Sequence, residues 1–154
     1  MGIEIERKFL MRDRSVLRGS DGLGYRQGYL SRDPERTVRV RVAGPHAYLT
    51  VKGRASGPSR AEFEYGIPVA DGEALLDLCL PSLIEKTRHR LEHAGRTWEV
   101  DVFHGANEGL VVAEVELPSA DALVDLPDWV GDEVTDDPRY VNANLAHHPY
   151  RSWT

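Results

Sequence analysis

The chain has 154 residues, which is enough to bury a core, and we expect a single domain over residues 1–154. Charged residues make up 29% and the formal net charge is −6, which disfavours a nucleic-acid partner because such proteins usually carry a basic excess. The lone Cys79 excludes an internal disulfide, and no apolar run is long enough to span a membrane, so we expect a cytoplasmic protein with no membrane partner.

Short stretches in which apolar and polar residues alternate predict eight strands, because side chains alternate between the two faces of a strand. These stretches cover residues 2–10, 23–31, 36–43, 46–53, 60–69, 83–93, 96–104 and 108–117. Many of them are joined by brief Gly-rich or polar connections, which favour hairpins. The pattern predicts an antiparallel sheet closed into a barrel, in an α+β fold with a few covering helices.

Helical signals are fewer. One helix is predicted after Pro68, with Asp71 as its N-cap, and a second with Ser119 as its N-cap. At the C-terminal end, Asp137 is the predicted cap and Pro138 the first residue of a short last helix. The stretch 11–22 predicts a short helical turn.

Charged side chains recur on one face of the predicted strands. In "EIERK", Glu4, Glu6 and Lys8 share a face opposite Ile3 and Ile5, a spacing that a helix would scatter. The same alternation places further charges on one face of their strands: Arg39, Arg41, Lys52, Glu62, Glu64, Lys86, Arg88, Asp101, Glu114 and Glu116.

Two arrangements fit these charged faces. The charges either point to water around an apolar interior, or line a hydrated tunnel while the apolar faces lie outside under helices. The signs are sorted by strand: residues 36–43, 46–53 and 83–93 are basic, and residues 2–6, 60–65, 99–101 and 108–117 are acidic. Sorted signs and predicted covering helices favour the tunnel.

A basic wall and an acidic wall in one cavity have a chemical use. Arginine and lysine neutralise phosphate oxygens, and arginine does so with paired, permanently charged contacts. Glutamate and aspartate bind hard divalent cations such as Mg²⁺ or Mn²⁺, which also bridge to phosphates. The two walls together predict a phosphoryl-transfer site.

The motif "EIERKFL" resembles the ExExK signature of the CYTH domain, the triphosphate tunnel metalloenzyme superfamily. The resemblance extends through "TVRVRV", "AYLTVKG", "IEKTRHRL", "VVAEVEL" and "RYVNANLA", and so covers nearly the whole chain, most closely the short bacterial members. It implies an eight-stranded antiparallel tunnel with a short C-terminal plug helix. It also implies hydrolysis or cyclisation of triphosphates with Mg²⁺ or Mn²⁺.

Carried over position by position, the resemblance assigns roles to the charged residues. The implied metal carboxylates are Glu4, Glu6, Asp101, Glu114 and Glu116. The implied triphosphate contacts are Lys8, Arg39, Arg41, Lys52, Lys86 and Arg88, with Arg139 and Tyr140 from the C-terminal segment. Glu62 and Glu64 match acidic positions that serve either the metal or the clamp.

Glu4, Glu6 and Lys86 are the predicted catalytic residues. Lys86 is the candidate general base, since crowding by Arg88 should lower its pKa. The alternative is a metal-activated water, with Lys86 as a clamp residue only.

The leading predicted function is hydrolysis of inorganic tripolyphosphate to pyrophosphate and phosphate. The alternatives are a nucleoside or thiamine triphosphatase, an adenylyl cyclase of the same superfamily, or a non-catalytic polyphosphate binder. Either a monomer or a homodimer is compatible with the sequence.

Overall fold

The computed structural model describes residues 2–153. Its nine strands are β1 (Ile3–Met11), β2 (Gly22–Ser31), β3 (Thr37–Ala43), β4 (His46–Lys52), β5 (Ser59–Ile67), β6 (Ile84–His93), β7 (Arg96–Phe103), β8 (Val111–Glu116) and β9 (Val130–Glu133). The two helices are α1 (Val69–Leu76) and α2 (Asn142–His147). Within residues 2–153, no helix has the length and apolar character needed to cross a membrane.

The strands form one antiparallel sheet in the order β5-β4-β3-β2-β6-β7-β8-β1-β9. A further pairing of β1 with β5 closes the first eight strands into a barrel, as the sequence predicts. This closing seam is short, with the three pairs Ile3↔Ala61, Glu4↔Arg60 and Ile5↔Ser59. The ninth strand, β9, lies beyond β1 and pairs with its C-terminal half.

The apolar side chains lie outside the barrel. Val40 and Val42 of β3 pack with Ala47 of β4 under α1. Phe9 and Trp98 belong to a second cluster, which the segment before β9 covers. A third cluster packs α2 against the barrel wall, with Leu145 fully buried. The outward apolar faces thus leave the charged faces pointing into the barrel.

Gly72 sets how closely α1 approaches the barrel. A Cβ at this position would lie 2.6 Å from the Cβ of Ala47 and 3.1 Å from a methyl group of Val42. Only glycine lets the helix backbone come this close without a shift of β4.

The structure corrects the predicted helix capped by Ser119. That segment is not helical, and the Ser119 hydroxyl donates to the Asp121 carboxylate instead. Ala122 and Val124 pack against the second cluster, whereas Leu123 is 93% exposed. This alternation is that of an extended chain, in which successive side chains point to opposite sides.

Three smaller predictions concern the start of α1, the turn in residues 11–22 and the cap at Asp137. The first helix begins at Val69, directly after Pro68, so Asp71 lies in its first turn and is not its cap. The stretch 11–22 contains a 3₁₀ turn over Ser15–Leu17, as expected. Asp137 does act as a cap, because its carboxylate accepts the backbone N–H of Arg139 at a 3₁₀ turn that precedes α2.

Candidate active site

The barrel encloses a cavity of about 420 Å³ whose walls are chiefly charged. Its basic lining residues are Lys8, Arg39, Arg41, Lys52, Arg60, Lys86, Arg88 and Arg90. Its acidic lining residues are Glu4, Glu6, Glu62, Glu64, Glu99, Glu114 and Glu116. Ordinary small barrels fill this space with aliphatic side chains. The interior is therefore the charged tunnel of the second arrangement considered above.

Sheet topology gathers the signs into two walls. The neighbouring strands β4, β3, β2 and β6 form one side, where β4, β3 and β6 supply the cations and β2 supplies Tyr25 and Tyr29. Strands β7, β8, β1 and β5 carry the acidic side. Strands of like sign are scattered along the chain and become neighbours only through this strand order. Lys8 is a cation within the acidic wall, where its ammonium lies 3.7 Å from Glu6.

Lys86 and Arg88 share one buried carboxylate. The Lys86 ammonium lies 2.8 Å from Asp101 Oδ2, and Arg88 donates to both Asp101 oxygens at 2.7 and 2.9 Å. The register explains this, because Arg88 lies directly opposite Asp101 on β7. Asp101 is fully buried, and despite that burial the two cations hold its pKa well below its ordinary value.

The Lys86 amine is poised near neutrality. Burial, with further repulsion from Arg88 and Arg41, lowers the pKa of Lys86 to about 7, although Asp101 opposes the shift. Burial is thus the main cause, beyond the crowding by Arg88 that the sequence suggests. A lysine at this pKa can exchange a proton at neutral pH.

The arginines of β3 have unmet hydrogen-bonding capacity. Arg39 donates to Thr50 at 3.2 Å, but its buried Nε has no partner among residues 2–153. Burial and the charges of Arg39 and Arg88 lower the pKa of Arg41 to about 10, still far above neutrality. Buried donors without partners are costly, so this wall is prepared for an anion.

The acidic wall contains carboxylates that destabilise one another. Glu6 lies directly opposite Glu116 in the β1–β8 ladder. Burial and the charge of Glu6 raise the pKa of Glu114, and burial with the charges of Glu4 and Glu99 raises that of Glu116. A cation placed between such carboxylates would remove this repulsion.

These carboxylates fit a hard divalent cation by donor type. Within residues 2–153, no three carboxylate, imidazole or thiol groups already converge on one point. Glu4 instead contacts Lys52 at 2.9 Å, and Lys52 also contacts Glu62 at 3.4 Å. Oxygen ligands for a cation are therefore present in one wall, where Glu4 and Glu62 pair with Lys52 and Glu6 pairs with Lys8.

Three of the predicted site residues do not line the cavity. Both oxygens of Asp101 are occupied by Lys86 and Arg88, so it supports those cations and does not join the facing carboxylates. Arg139 points outward, paired with Asp137 at 2.7 Å, and Tyr140 is buried in the α2 cluster. The remaining predicted residues all line the cavity.

Several residues that line the cavity were not predicted from the sequence. Arg60 precedes Glu62 by two positions on β5, so strand alternation alone identifies it. Tyr25 and Tyr29 of β2 line the basic side but resemble ordinary core residues in sequence. Asn142 reaches the cavity from the first position of α2, and no local pattern marks it.

The chain is similar to known proteins over nearly its whole length. A sequence model described as the CYTH domain matches residues 2–148. A protein of Acetivibrio thermocellus named inorganic triphosphatase is 49% identical over 154 residues, which cover 99% of each chain. A protein of Nitrosomonas europaea with the same name is 38% identical over 151 residues, which cover 93% of this chain and 96% of that protein.

The fold agrees with a solved structure. The crystal structure of the inorganic triphosphatase NE1496 matches with a TM-score of 0.63 and 36% identity, over 92% of this chain and 96% of that chain. The closed antiparallel barrel is therefore shared with that structure.

Proposed function

The chain belongs to the CYTH domain family, and on this basis we propose that it is a metal-dependent triphosphatase that hydrolyses inorganic tripolyphosphate to pyrophosphate and phosphate. The observation that carries the proposal is the basic wall of the cavity. Its donors include Arg39 Nε, which has no hydrogen-bond partner in the described part of the chain. A linear polyanion would fill such a wall with charge-assisted hydrogen bonds along its length. The names of the two curated relatives support the same activity.

The acidic wall supports a requirement for a divalent metal. Glu4, Glu6, Glu114 and Glu116 would hold the ion, and Mg²⁺ or Mn²⁺ is proposed because both prefer carboxylate and phosphate oxygens. When bound, such an ion supplies charge neutralisation on phosphate oxygens and can lower the pKa of a bound water. The raised pKa values of Glu114 and Glu116 support this, since a bound cation would favour their ionised forms.

Lys86 is the proposed general base for the attacking water. With a pKa of about 7 it is partly neutral at physiological pH, and it lines the cavity where the phosphates would lie. Arg39, Arg41 and Arg88 would stabilise charge on the transferred phosphoryl group and on the leaving pyrophosphate. Lys8 and Lys52 would contact the same chain of phosphates from beside the carboxylates. The alternative remains a metal-activated water with Lys86 as a clamp only.

The proposed location is the cytoplasm, with the enzyme acting as a monomer or homodimer on a small-molecule substrate. The lone Cys79 supports a reducing compartment, because a protein of oxidising compartments usually pairs its cysteines. Fractionation of source cells with an antibody, and light scattering of the purified protein, test these two points.

The first experiment measures orthophosphate and pyrophosphate release from tripolyphosphate, ATP and thiamine triphosphate, each with Mg²⁺, Mn²⁺ or EDTA. We expect metal-dependent release chiefly from tripolyphosphate. Release chiefly from ATP or thiamine triphosphate would assign the substrate to those compounds, and pyrophosphate release with cyclic AMP from ATP would indicate a cyclase. Binding without any product would indicate a polyphosphate binder.

A matched pair of variants tests whether the acidic wall is the metal site. Glu114→Gln removes a cavity carboxylate, and we expect it to lower turnover and raise the Mg²⁺ concentration required. Glu133→Gln removes an exposed carboxylate that pairs with Arg7 outside the barrel, and it serves as the control. Equal metal dependence in the two variants would contradict the assignment.

A further inference from the structure

The first residue of α2 makes a polar contact with the basic wall. The Asn142 side-chain oxygen Oδ1 accepts hydrogen bonds from Lys86 Nζ and from Gln27 Nε2, both at 3.1 Å. Asn142 also lines the cavity, and the fully buried Leu145 fixes the same helix against the barrel wall. The C-terminal helix therefore contributes one polar group to the interior of the tunnel.

The network around Asn142 has only one consistent orientation. In its charged form Lys86 can only donate, so the Asn142 group that faces it is the oxygen. Arg41 Nε donates to Gln27 Oε1 at 2.9 Å, which leaves the Gln27 amide nitrogen to donate to Asn142. Gln27 is fully buried, so its amide depends on these two partners. Asn142 is thus linked directly to Lys86 and, through Gln27, to Arg41.

These contacts determine the direction in which the Lys86 amine presents its remaining hydrogen-bonding position. Among residues 2–153, Lys86 Nζ has two polar partners, Asp101 at 2.8 Å and Asn142 at 3.1 Å. A tetrahedral nitrogen with two positions fixed by acceptors has the orientation of the others fixed as well. With Asp101 alone, the group could rotate about a single contact.

We propose that Asn142 is a positioning residue, which holds the Lys86 amine and the Gln27–Arg41 pair in the geometry that the phosphates meet. This inference rests on the proposed triphosphatase function. It gives the C-terminal helix a part in turnover that its packing alone does not imply. Removing the Asn142 oxygen leaves the Gln27–Arg41 bond in place, so turnover should suffer more than substrate affinity.

Steady-state kinetics on tripolyphosphate test the proposal with three variants. We expect Asn142→Ala to lower kcat by at least about tenfold with a smaller change in KM, since misplacing a reacting group by about 1 Å costs on the order of 100-fold. Asn142→Asp keeps an acceptor of the same size, but its charge raises the pKa of Lys86, so it should recover most of kcat only at higher pH, and its charge should also raise KM. The control is Asn144→Ala, in the same helix, whose exposed side chain donates to the Pro138 carbonyl.

The proposal is overturned if Asn142→Ala keeps kcat within about twofold of the unmodified protein. It is also overturned if Asn144→Ala lowers kcat equally, because helix docking would then explain the loss. If Asn142→Ala does not fold, Asn142→Leu, which fills the space without an acceptor, is judged by the same criteria.

A spectroscopic measurement separates this proposal from the proposed function. The ¹⁵Nζ resonance of Lys86, assigned by its absence in Lys86→Met, reports the contacts of that amine without any turnover. We expect Asn142→Ala to shift it and Asn144→Ala to leave it unchanged. An unshifted resonance in Asn142→Ala overturns the positioning role. Absence of phosphate release by the unmodified protein, with this shift present, would instead count against the triphosphatase.

Discussion

Lys86 can serve the reaction as a base or as a cation, and its pH dependence separates these roles. Because the pKa of the free enzyme's Lys86 is about 7, the amine is mainly neutral above that pH and mainly charged below it. A base must be neutral, so kcat/KM for tripolyphosphate should rise between pH 6 and 8, since kcat/KM reports the free enzyme. A clamp must be charged, and kcat/KM would then fall over the same range.

Two substitutions of Lys86 provide the matched comparison. Lys86→Met removes both roles, and general-base loss should lower kcat by about 10²–10⁴-fold with metal binding intact. Lys86→Arg keeps a permanent charge but removes the base. Comparable losses in both variants support the base. If Lys86→Arg retains most of the turnover, or Lys86→Met loses only about tenfold, the metal-activated water is the better mechanism.

Asp101 should matter for stability more than any exposed carboxylate. Asp101→Asn removes the carboxylate that pairs with two nitrogens of the buried Arg88 guanidinium and leaves it only Glu99, at 3.3 Å, among the described residues. Breaking a buried pair in this way costs about 3–5 kcal/mol. Glu133→Gln breaks the partly exposed pair with Arg7, which should cost no more than about 1 kcal/mol. Urea denaturation of the three proteins measures both losses, and similar values for the two variants would contradict the supporting role of Asp101.

The difference in unfolding free energy between the unmodified protein and Asp101→Asn changes with pH in a defined direction. The pKa of Asp101 is depressed in the folded protein, so its contribution is complete above the unfolded value of about 3.9 and is lost as the pH falls below it. Asp101 also holds up the pKa of Lys86, so its loss lowers that pKa further, and the gap in unfolding free energy between the unmodified protein and Asp101→Asn should widen as the pH falls from 7 towards 5. Below about pH 4 the gap should shrink as Asp101 itself becomes protonated, and a gap that does not shrink there would contradict the supporting role of its carboxylate.

At the scale of elements, the position of α1 depends on a single missing Cβ. Gly72→Ala gains about 1 kcal/mol in helix propensity, but the added methyl group would lie 2.6 Å from Ala47. Overpacking of this kind costs about 1–3 kcal/mol, so we expect a net loss of stability. The double variant Gly72→Ala/Ala47→Gly removes the clash and should recover part of the loss.

The melting temperature Tm tests this prediction. Gly66→Ala is the control because a Cβ at that position meets nothing within 4 Å. For a chain of this size, a loss of 1 kcal/mol lowers Tm by about 2–4 °C. A Gly72→Ala protein with an unchanged or higher Tm would mean that α1 can move away from β4 at no cost.

Strand faces were predictable from the sequence because alternation is a local property. Glu4, Glu6 and Lys8 share a face in any extended conformation, so their common destination needed no knowledge of the fold. The many short, closely linked strands indicated a closed antiparallel barrel, and the resemblance to the CYTH domain added the eight-stranded tunnel. The helix expected at Ser119 is absent because the packing of Ala122 and Val124 on the barrel outweighs a weak helical pattern. Strand β9 has only four residues, which is too short for a periodic signal.

Contacts between distant residues could not be predicted in this way. Asp101 has the spacing of a tunnel carboxylate, and only the register with β6 reveals that Arg88 and Lys86 occupy it. The resemblance made Arg139 a candidate to meet the ligand, but it pairs with Asp137 and points outward, and Asn142 enters the cavity instead. Such outcomes depend on how strands and helices meet, which local sequence does not determine.

At the scale of the whole molecule, the interior of the barrel contains charged side chains that their neighbours do not fully stabilise. Burial and the charges of neighbouring arginines lower the pKa of Arg41, while burial and neighbouring carboxylates raise that of Glu114. Both shifts mean that the folded protein disfavours the charged form of the group, so the fold is less stable for having this site. A polyanion that neutralises the basic wall should therefore stabilise the folded state.

Thermal unfolding in EDTA, which prevents metal-dependent turnover, measures that stabilisation. Tripolyphosphate at 100 times its Kd should add about 2.7 kcal/mol if only the folded protein binds it, which corresponds to a Tm increase of about 5–11 °C. Sodium chloride at equal ionic strength controls for screening, and orthophosphate controls for a single phosphate group. Because the cations lie along strands β3, β4 and β6, a chain of phosphates can contact more of them at once than orthophosphate can. A shift no larger than that with orthophosphate would mean that the basic wall acts as separate anion sites and not as one surface for a triphosphate.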